Sequence, residues 1–226
     1  IYGENPYKSP TDMGVNMVGN CIIDDEACCE ASKQEIIRRY YTCLNQYVQG
    51  DASEDEVANI ELLMQQAKIS TDFRAVTQAA KARAEKEKVP TAAIELADGT
   101  IITSKTTPLL GTSAALLLNA TKHLAGIDHK VKLIPKEMIE PIQQMKVELL
   151  SGNNPRLHTD EVLVALAMLS KDDENCKKAL EQLANLKGCQ VHTSVMLSEV
   201  DRKIFKKLGV DLTCEPVYKK QKPLIS

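Results

Sequence analysis

Residues 188–216 read GCQVHTSVMLSEVDRKIFKKLGVDLTCEP, and this stretch decides the fold class. CQVHTSVML has the β-branched and apolar density of a buried strand. SEVDRKIFKKLG is a helix, with Ser198 and Asp201 as a capping pair at its start. VDLTCEP follows as a second strand. Strand, helix and strand with short links imply parallel strands joined by a right-handed crossover. Two more helices precede the unit. RLHTDEVLVALAMLS has Thr159 as its N-cap, and KDDENCKKALEQLANLKG ends at Gly188.

Upstream the pattern changes. TAAIELADGTIITSK predicts a β-hairpin, with strands over 93–96 and 100–103 and Asp98-Gly99 as a two-residue turn. TPLLGTSAALLLNATKHLAGI predicts a largely buried helix from Pro108 to Gly126, inside which Asn119 needs a hydrogen-bond partner. KVKLI predicts a short strand. IPKEMIEPIQQMKVELLSG predicts a helix after Pro135, with Pro141 as a kink or a late start. The first third is nearly all helix. One helix presents Ile36, Tyr40, Cys43, Leu44 and Tyr47 on a face and stops at Gly50. A second opens on the Ser53/Glu56 capping box and runs to about Ala67, and a third opens at Asp72. The first twenty residues are rich in Gly, Pro and Asn and predict an ordered loop.

The expected fold is therefore α/β and helix-rich: a helical N-terminal region plus a mixed α/β layer with short, partly parallel strands. The expected boundary lies at 88–91, giving a loop and helical region over 1–89 and an α/β region over 90–226. One continuous domain is the open alternative.

Composition narrows the function. The chain has 226 residues, 43% hydrophobic and 26% charged, an ordinary globular balance. A net charge of −3 argues against a nucleic-acid partner, which a basic excess would mark. With six Tyr, two Phe and no Trp, an aromatic stacking platform is not expected. No window approaches the ~18 apolar residues of a membrane helix, so no membrane partner is expected. The seven Cys show no C-x-x-C spacing and read as reduced, mostly buried thiols of a cytoplasmic protein.

Four clusters carry enough polar chemistry to form a site. Residues 11–20, TDMGVNMVGN, put Asp12, Asn16 and Asn20 beside two glycines, which suits a ligand loop as well as a set of turns. Residues 157–161, LHTDE, place His158 at a helix mouth that attracts anions, with Asp160 and Glu161 able to orient it. Capping alone also accounts for Thr159, Asp160 and Glu161. Residues 189–194, CQVHTS, put His192 and Ser194 on one strand face near its carboxyl end, where α/β sheets bind ligands. Side chains at i and i+2 stand parallel rather than converging, so a polar wall fits better than a Ser–His nucleophile pair. Residues 103–107, TSKTT, followed by Gly111-Thr112-Ser113, offer hydroxyls, Lys105 and a helix start to an anion, without the order of a Walker loop. His123 and His129 read as surface. The four His residues show no metal-binding spacing; a metal held across the fold by Asp12, His158 and His192 stays open, and the sequence does not identify a cofactor.

Four stretches together resemble a known family. They are YGENPYKSPTDMGVNMVGN (2–20), TSKTTPLLGTSAALLLNATKHLAGI (103–127), LHTDEVLVAL (157–166) and GCQVHTSVMLSEVDRKIFKKLGVDLTCEPVY (188–218). In this order they resemble the domain-of-unknown-function family 1846, also called uncharacterised protein family 0371. The resemblance covers nearly the whole chain. It implies a bacterial cytoplasmic protein, and that this chain is the C-terminal half of a longer one, as does its start at Ile1. It transfers no activity, only attention to Asp12, Asn16, Asn20, Ser104, Lys105, His158, Asp160, His192 and Ser194.

Two readings follow. In the first, favoured, the full protein is an enzyme acting on a small phosphorylated or carboxylated metabolite. His158 or His192 is its acid–base group, Asp12 positions that group, and Ser104, Lys105, Asn16, Asn20, Asp160 and Ser194 contact the ligand. In the second, this half is a scaffold, a homo-oligomer or the partner that completes a site in the N-terminal half of its own chain. Tyr40, Tyr41, Tyr47, Leu62 and Leu63 would supply the apolar surface.

Overall fold

The computed structural model describes residues 24–218. The chain divides into a compact unit ending at Arg74 and another starting at Ala75.

The first unit is a helix pair built by its caps. Helix α1 spans Asp25–Gln49. The Asp24 carboxylate accepts the Ala27 N–H at 2.8 Å, and Gly50 ends the helix at φ 85°, a conformation that only glycine adopts cheaply. Helix α2 spans Glu54–Gln66 and opens on the Ser53/Glu56 capping box, as expected. The buried residues of α1 are Ile37, Tyr41 and Cys43. Of the predicted face Cys43 is buried and Ile36 and Tyr40 are partly buried, and Ile37 and Tyr41 pack on Met64 of α2 with Phe73 at the edge. Tyr47 is left 45% exposed. A short 3-10 turn over Thr71–Phe73 stands where the sequence predicted the start of a third helix.

The second unit is a four-stranded sheet with helices on both faces. Helix α3 (Ala75–Glu87) leads into strands β1 (Thr91–Glu95) and β2 (Ile101–Lys105). Their register runs from Thr91↔Lys105 to Glu95↔Ile101. The turn holds three residues, not two. Leu96 and Thr100 still pair, Gly99 N–H donates to Leu96 O at 2.9 Å, and Gly99 takes φ 81°. Helices α4 (Thr112–Leu124), α5 (Lys136–Gln144), α6 (Thr159–Leu169) and α7 (Glu174–Glu181) follow. Strand β3 (Gln190–Thr193), helix α8 (Glu199–Lys207) and strand β4 (Asp211–Cys214) end the unit.

The sheet order is β2-β1-β3-β4. β3 and β4 are parallel, joined through α8 as the quoted stretch requires, while β1 is antiparallel to both its neighbours. Strand alternation then assigns the faces. Ala92, Ile94 and Val191 pack with Leu116 and Leu117 of α4 and Phe205 of α8. Ala93, on the opposite face, packs with Val76 and Ala80 of α3. A second core lies among α5, α6 and α7, where Leu157, Leu166 and Ile139 are sealed from water. Each such side chain contributes about 1.5–3 kcal/mol.

KVKLI is not a strand. It delivers Leu133 and Ile134 into that helical core, where they pack with Ile139, Leu157 and Leu166 rather than on the sheet. Pro141 lies inside α5, which runs on into a wider π turn over Met145–Leu149. Among the described residues no helix is long and apolar enough to cross a membrane.

Candidate functional site

Helices α4 and α6 start side by side. Leu110 and Leu157 form a parallel bridge, with Gly111 N–H donating to Leu157 O and Leu157 N–H to Leu109 O, both at 3.0 Å. The bridge sets the two helix mouths abreast. Helix α8 starts at the same place, because Asp201 in its first turn reaches α6.

His158 is the residue on which these starts converge. It is the N-cap of α6, the position the sequence reading gave to Thr159. Its Nδ1 lies 3.1 Å from Asp201 Oδ2. The other oxygen, Asp201 Oδ1, accepts the Thr159 N–H and the Thr159 hydroxyl, each at 3.0 Å. Ser198 Oγ donates to Asp201 Oδ2 at 2.8 Å. The carboxylate is 1% exposed and fully engaged. Burial by itself would raise the Asp201 carboxyl. Hydrogen bonds from His158, Thr159 N–H and Ser198, with the attraction of the imidazole, outweigh burial and hold it well below the usual carboxylate range.

This arrangement dictates the imidazole's tautomer. A carboxylate only accepts, so His158 Nδ1 carries the proton. The other nitrogen, Nε2, lies 3.2 Å from Asn154 Nδ2. Asn154 Oδ1 takes the Arg156 N–H, which turns the amide so that its NH2 faces the ring. Nε2 is therefore an acceptor, on a side chain left 23% exposed. An imidazole oriented by a buried acid through one nitrogen, with a basic lone pair on the other, can take and return a proton. Ser198 lies on the Asp201 side of the ring, so it orients and is not placed to be a nucleophile activated by Nε2.

The surroundings are cross-tied. Glu161 Oε2 accepts the His158 N–H and the Lys146 ammonium, each at 2.7 Å. Lys146 also donates to Arg156 O, and Arg156 Nε to Thr107 O, each at 2.8 Å. Glu161 thus answers the helix start, while the acid that orients His158 comes from 43 residues downstream. Asp160 Oδ1 is shielded from solvent and has no hydrogen-bond partner among the described residues.

The other expected residues lie apart from this cluster. His192 faces the α3 side of the sheet, in register with Ala93, whereas Asp201 and His158 belong to the α8 side. His192 is fully buried. Its Nε2 donates to Glu215 at 3.2 Å and its Nδ1 meets Thr213 Oγ1 at 2.9 Å. Lys81 of α3 closes the network at 3.0 Å from Glu215. Burial opposes ionisation of Glu215, but His192 and Lys81 lower its pKa to about 2. Ser194 does not pair with His192: its hydroxyl accepts the Thr91 N–H at 2.9 Å. Ser104 donates to Thr112 O at 2.7 Å and ties β2 to the start of α4. Lys105 pairs with Glu87 at 2.7 Å. Asn119 donates to Thr103 O, the structural partner it was expected to need. Asp12, Asn16 and Asn20 lie outside the described residues. Among the described residues no group of three His, Cys, Asp or Glu side chains is spaced to hold a metal ion.

Sequence reasoning missed Asp201, Ser198 and Asn154 as members of this site. The signal for Asp201 and Ser198 was present but was fully spent on helix capping. Nothing in sequence spacing ties Asn154 to the ring nitrogen.

The chain was compared with known proteins. Residues 72–223 match the family model described as "Domain of unknown function DUF1846, C-terminal", and residues 1–68 the one described as "Domain of unknown function DUF1846, N-terminal". The UPF0371 protein cu0538 of Corynebacterium urealyticum is 53% identical over 218 residues, covering 96% of this chain and 44% of that protein. The UPF0371 protein DIP2346 of Corynebacterium diphtheriae is 50% identical over 222 residues, covering 98% and 45%. The UPF0371 protein str1377 of Streptococcus thermophilus is 46% identical over 222 residues, with the same coverage. The chain thus spans less than half the length of these curated relatives. The expectation of a C-terminal half alone is corrected, because the chain carries matches to both the N-terminal and the C-terminal model.

Proposed function

The chain belongs to the bacterial DUF1846 family, and on that premise we propose that it carries the acid–base group of an enzyme acting on a small phosphorylated or carboxylated metabolite. One observation carries the reading. A buried, fully hydrogen-bonded carboxylate holds His158 by Nδ1 and leaves Nε2 as an acceptor, on a side chain that is 23% exposed. His158 is the group that moves the proton. Asp201 is a positioning residue, which fixes the tautomer and steadies the imidazolium that forms. Asn154 holds Nε2 until substrate replaces it. His192, sealed from solvent, has no such access and stays with stability.

The test is turnover by the full-length protein. Wild type and His158→Gln are incubated with a panel of phosphorylated and carboxylated metabolites, and consumption is followed by mass spectrometry. A variant that folds, by far-UV circular dichroism, should lose about 10²-fold or more of the rate on any substrate found. Equal rates for the two proteins would reject the assignment.

The scaffold reading is favoured by a different observation. Leu149 and Leu150 are 77% and 67% exposed, and Val164 and Met168 of α6 are each 61% exposed. Apolar side chains so far out of the core suit an interface, with a second copy or with the remainder of the longer chain. Light scattering on Leu149→Glu/Val164→Glu against wild type tests it. An unchanged mass and elution for both would set that reading aside.

A further inference from the structure

We propose that the N-terminus of α4 is a phosphoryl-binding subsite beside His158. Its place in catalysis rests on the acid–base reading above; its capacity to bind does not. Helix α4 is 13 residues long, and its N-cap, Gly111, has no side chain to cap it; no acidic residue stands in its first turn. The first-turn N–H groups, of Thr112, Ser113 and Ala114, have no partner within a helix. All three residues are sealed from solvent, so bulk water does not satisfy them. The neighbouring mouth shows the contrast, since there the Thr159 N–H is taken by the Asp201 carboxylate.

The second observation is the Ser113 hydroxyl. Ser113 is 0% exposed, and its Oγ has no hydrogen-bond partner among the described residues. A Cβ built on Gly111 would stand 3.9 Å from that Oγ, which places the hydroxyl at the helix mouth. A buried hydroxyl left without a partner among the described residues, beside first-turn amides that no helix satisfies, is a costly arrangement unless something fills it. What fills it must accept hydrogen bonds and suit the positive end of a helix dipole. Three amides and one hydroxyl, beside a glycine that adds no side chain to the mouth, match the three free oxygens of a phosphoryl group. The Leu110↔Leu157 bridge sets this mouth one residue from His158, so the phosphoryl group would hold a substrate against the imidazole.

The probe is inorganic phosphate, titrated into the 15N-labelled protein. The Thr112, Ser113 and Ala114 amide signals should move saturably. Ser113→Ala should weaken binding roughly ten-fold or more, the worth of a hydrogen bond to a charged group. Because Ser113 is wholly buried, Gly111→Ala provides a second variant. Gly111 has φ −65°, which alanine accepts, and the added Cβ would meet Leu157 O at 3.4 Å, an ordinary contact. That methyl group should obstruct the mouth and weaken phosphate binding while the fold persists. His158→Gln should bind phosphate as wild type does. Phosphate binding at α4 with turnover indifferent to His158→Gln upholds the subsite and rejects the catalytic assignment. Unmoved α4 amides, or equal phosphate affinity in wild type, Ser113→Ala and Gly111→Ala, would overturn the subsite. Equal binding of acetate would overturn its phosphoryl character.

Discussion

Replacing Asp201 by Asn keeps the size of the side chain and removes its charge, so it isolates what the carboxylate does. In the wild type Oδ1 accepts two hydrogen bonds from Thr159, and Oδ2 accepts from Ser198 and His158. The replacement amide retains the two Thr159 bonds through its oxygen. Its NH2 group then faces Ser198 and the His158 Nδ1–H, two groups that were donating. The serine hydroxyl can rotate to accept. The imidazole can accept only by moving its proton from Nδ1 to Nε2, where the proton meets the Asn154 NH2 group. Charge-assisted bonds are about twice as strong as neutral ones, so four weaken and one clash is created. Together these cost about 2–4 kcal/mol at neutral pH. The assay is urea unfolding followed by far-UV circular dichroism, because the chain has no Trp and the one Tyr of the second unit, Tyr218, is already 59% exposed. A 15N spectrum of the ring reports the tautomer directly. The reasoning also fixes a pH signature. Asp201 is depressed in the fold, so its contribution is full above the unfolded carboxyl value near 4 and is lost as pH falls below it. Asp201→Asn should show a shallower acid slope across that window, keeping only the part owed to other depressed carboxylates such as Glu215. A variant within about 0.5 kcal/mol of wild type, with the ring still protonated on Nδ1, would refute the argument.

Three further outcomes are expected. Glu215→Gln should cost about 2–4 kcal/mol by leaving His192 and Lys81 without their shared carboxylate; the wild-type contribution falls away from pH 4.5 toward about 2, and a variant with the same acid slope in urea melts would count against it. Leu157→Ala should cost about 2–5 kcal/mol, since that side chain is 0% exposed in the core under the two helix mouths; a loss below about 1 kcal/mol by denaturant titration would show that the site collapses freely. Burial, with Asp173 nearby, pushes the Cys176 thiol up to about 11, so Ellman's reagent with peptide mapping should find Cys28 and Cys29 modified first and Cys176 only in urea; early labelling of Cys176 would contradict its burial.

What could be read from the sequence was whatever is written locally. Ser53 and Glu56 announce a helix start because the capping bonds span three residues. The 188–216 stretch announces a parallel pair because its crossover helix leaves no other connection of that length. KVKLI misled because its apolar density is the same for a strand as for a segment feeding a helical core; which core takes Leu133 and Ile134 is a property of the whole unit. The antiparallel pairing of β1 with β3 joins residues about a hundred positions apart and leaves no local trace. His158 was legible as a residue at a helix mouth. Its partner was not, because the helix that supplies Asp201 begins 40 residues later and its capping pair already had a sufficient explanation.

The contrast between the two histidines carries the functional argument. Both are paired with a carboxylate held below its usual range, and either network by itself could be structural. They differ in what the second ring nitrogen meets. His192 meets Thr213 with one nitrogen and Glu215 with the other, and its own side chain has no exposure, so a proton leaving it must pass through Glu215, whose side chain is 18% exposed. His158 spends only Nδ1 on its acid. Its Nε2 faces a single amide on the segment leading into α6, where the side chain reaches solvent. His158 keeps a second nitrogen on a side chain that is 23% exposed while its acid is sealed, the geometry an acid–base role would use, and it lies abreast of a helix mouth whose Ser113 hydroxyl the described residues leave unmatched.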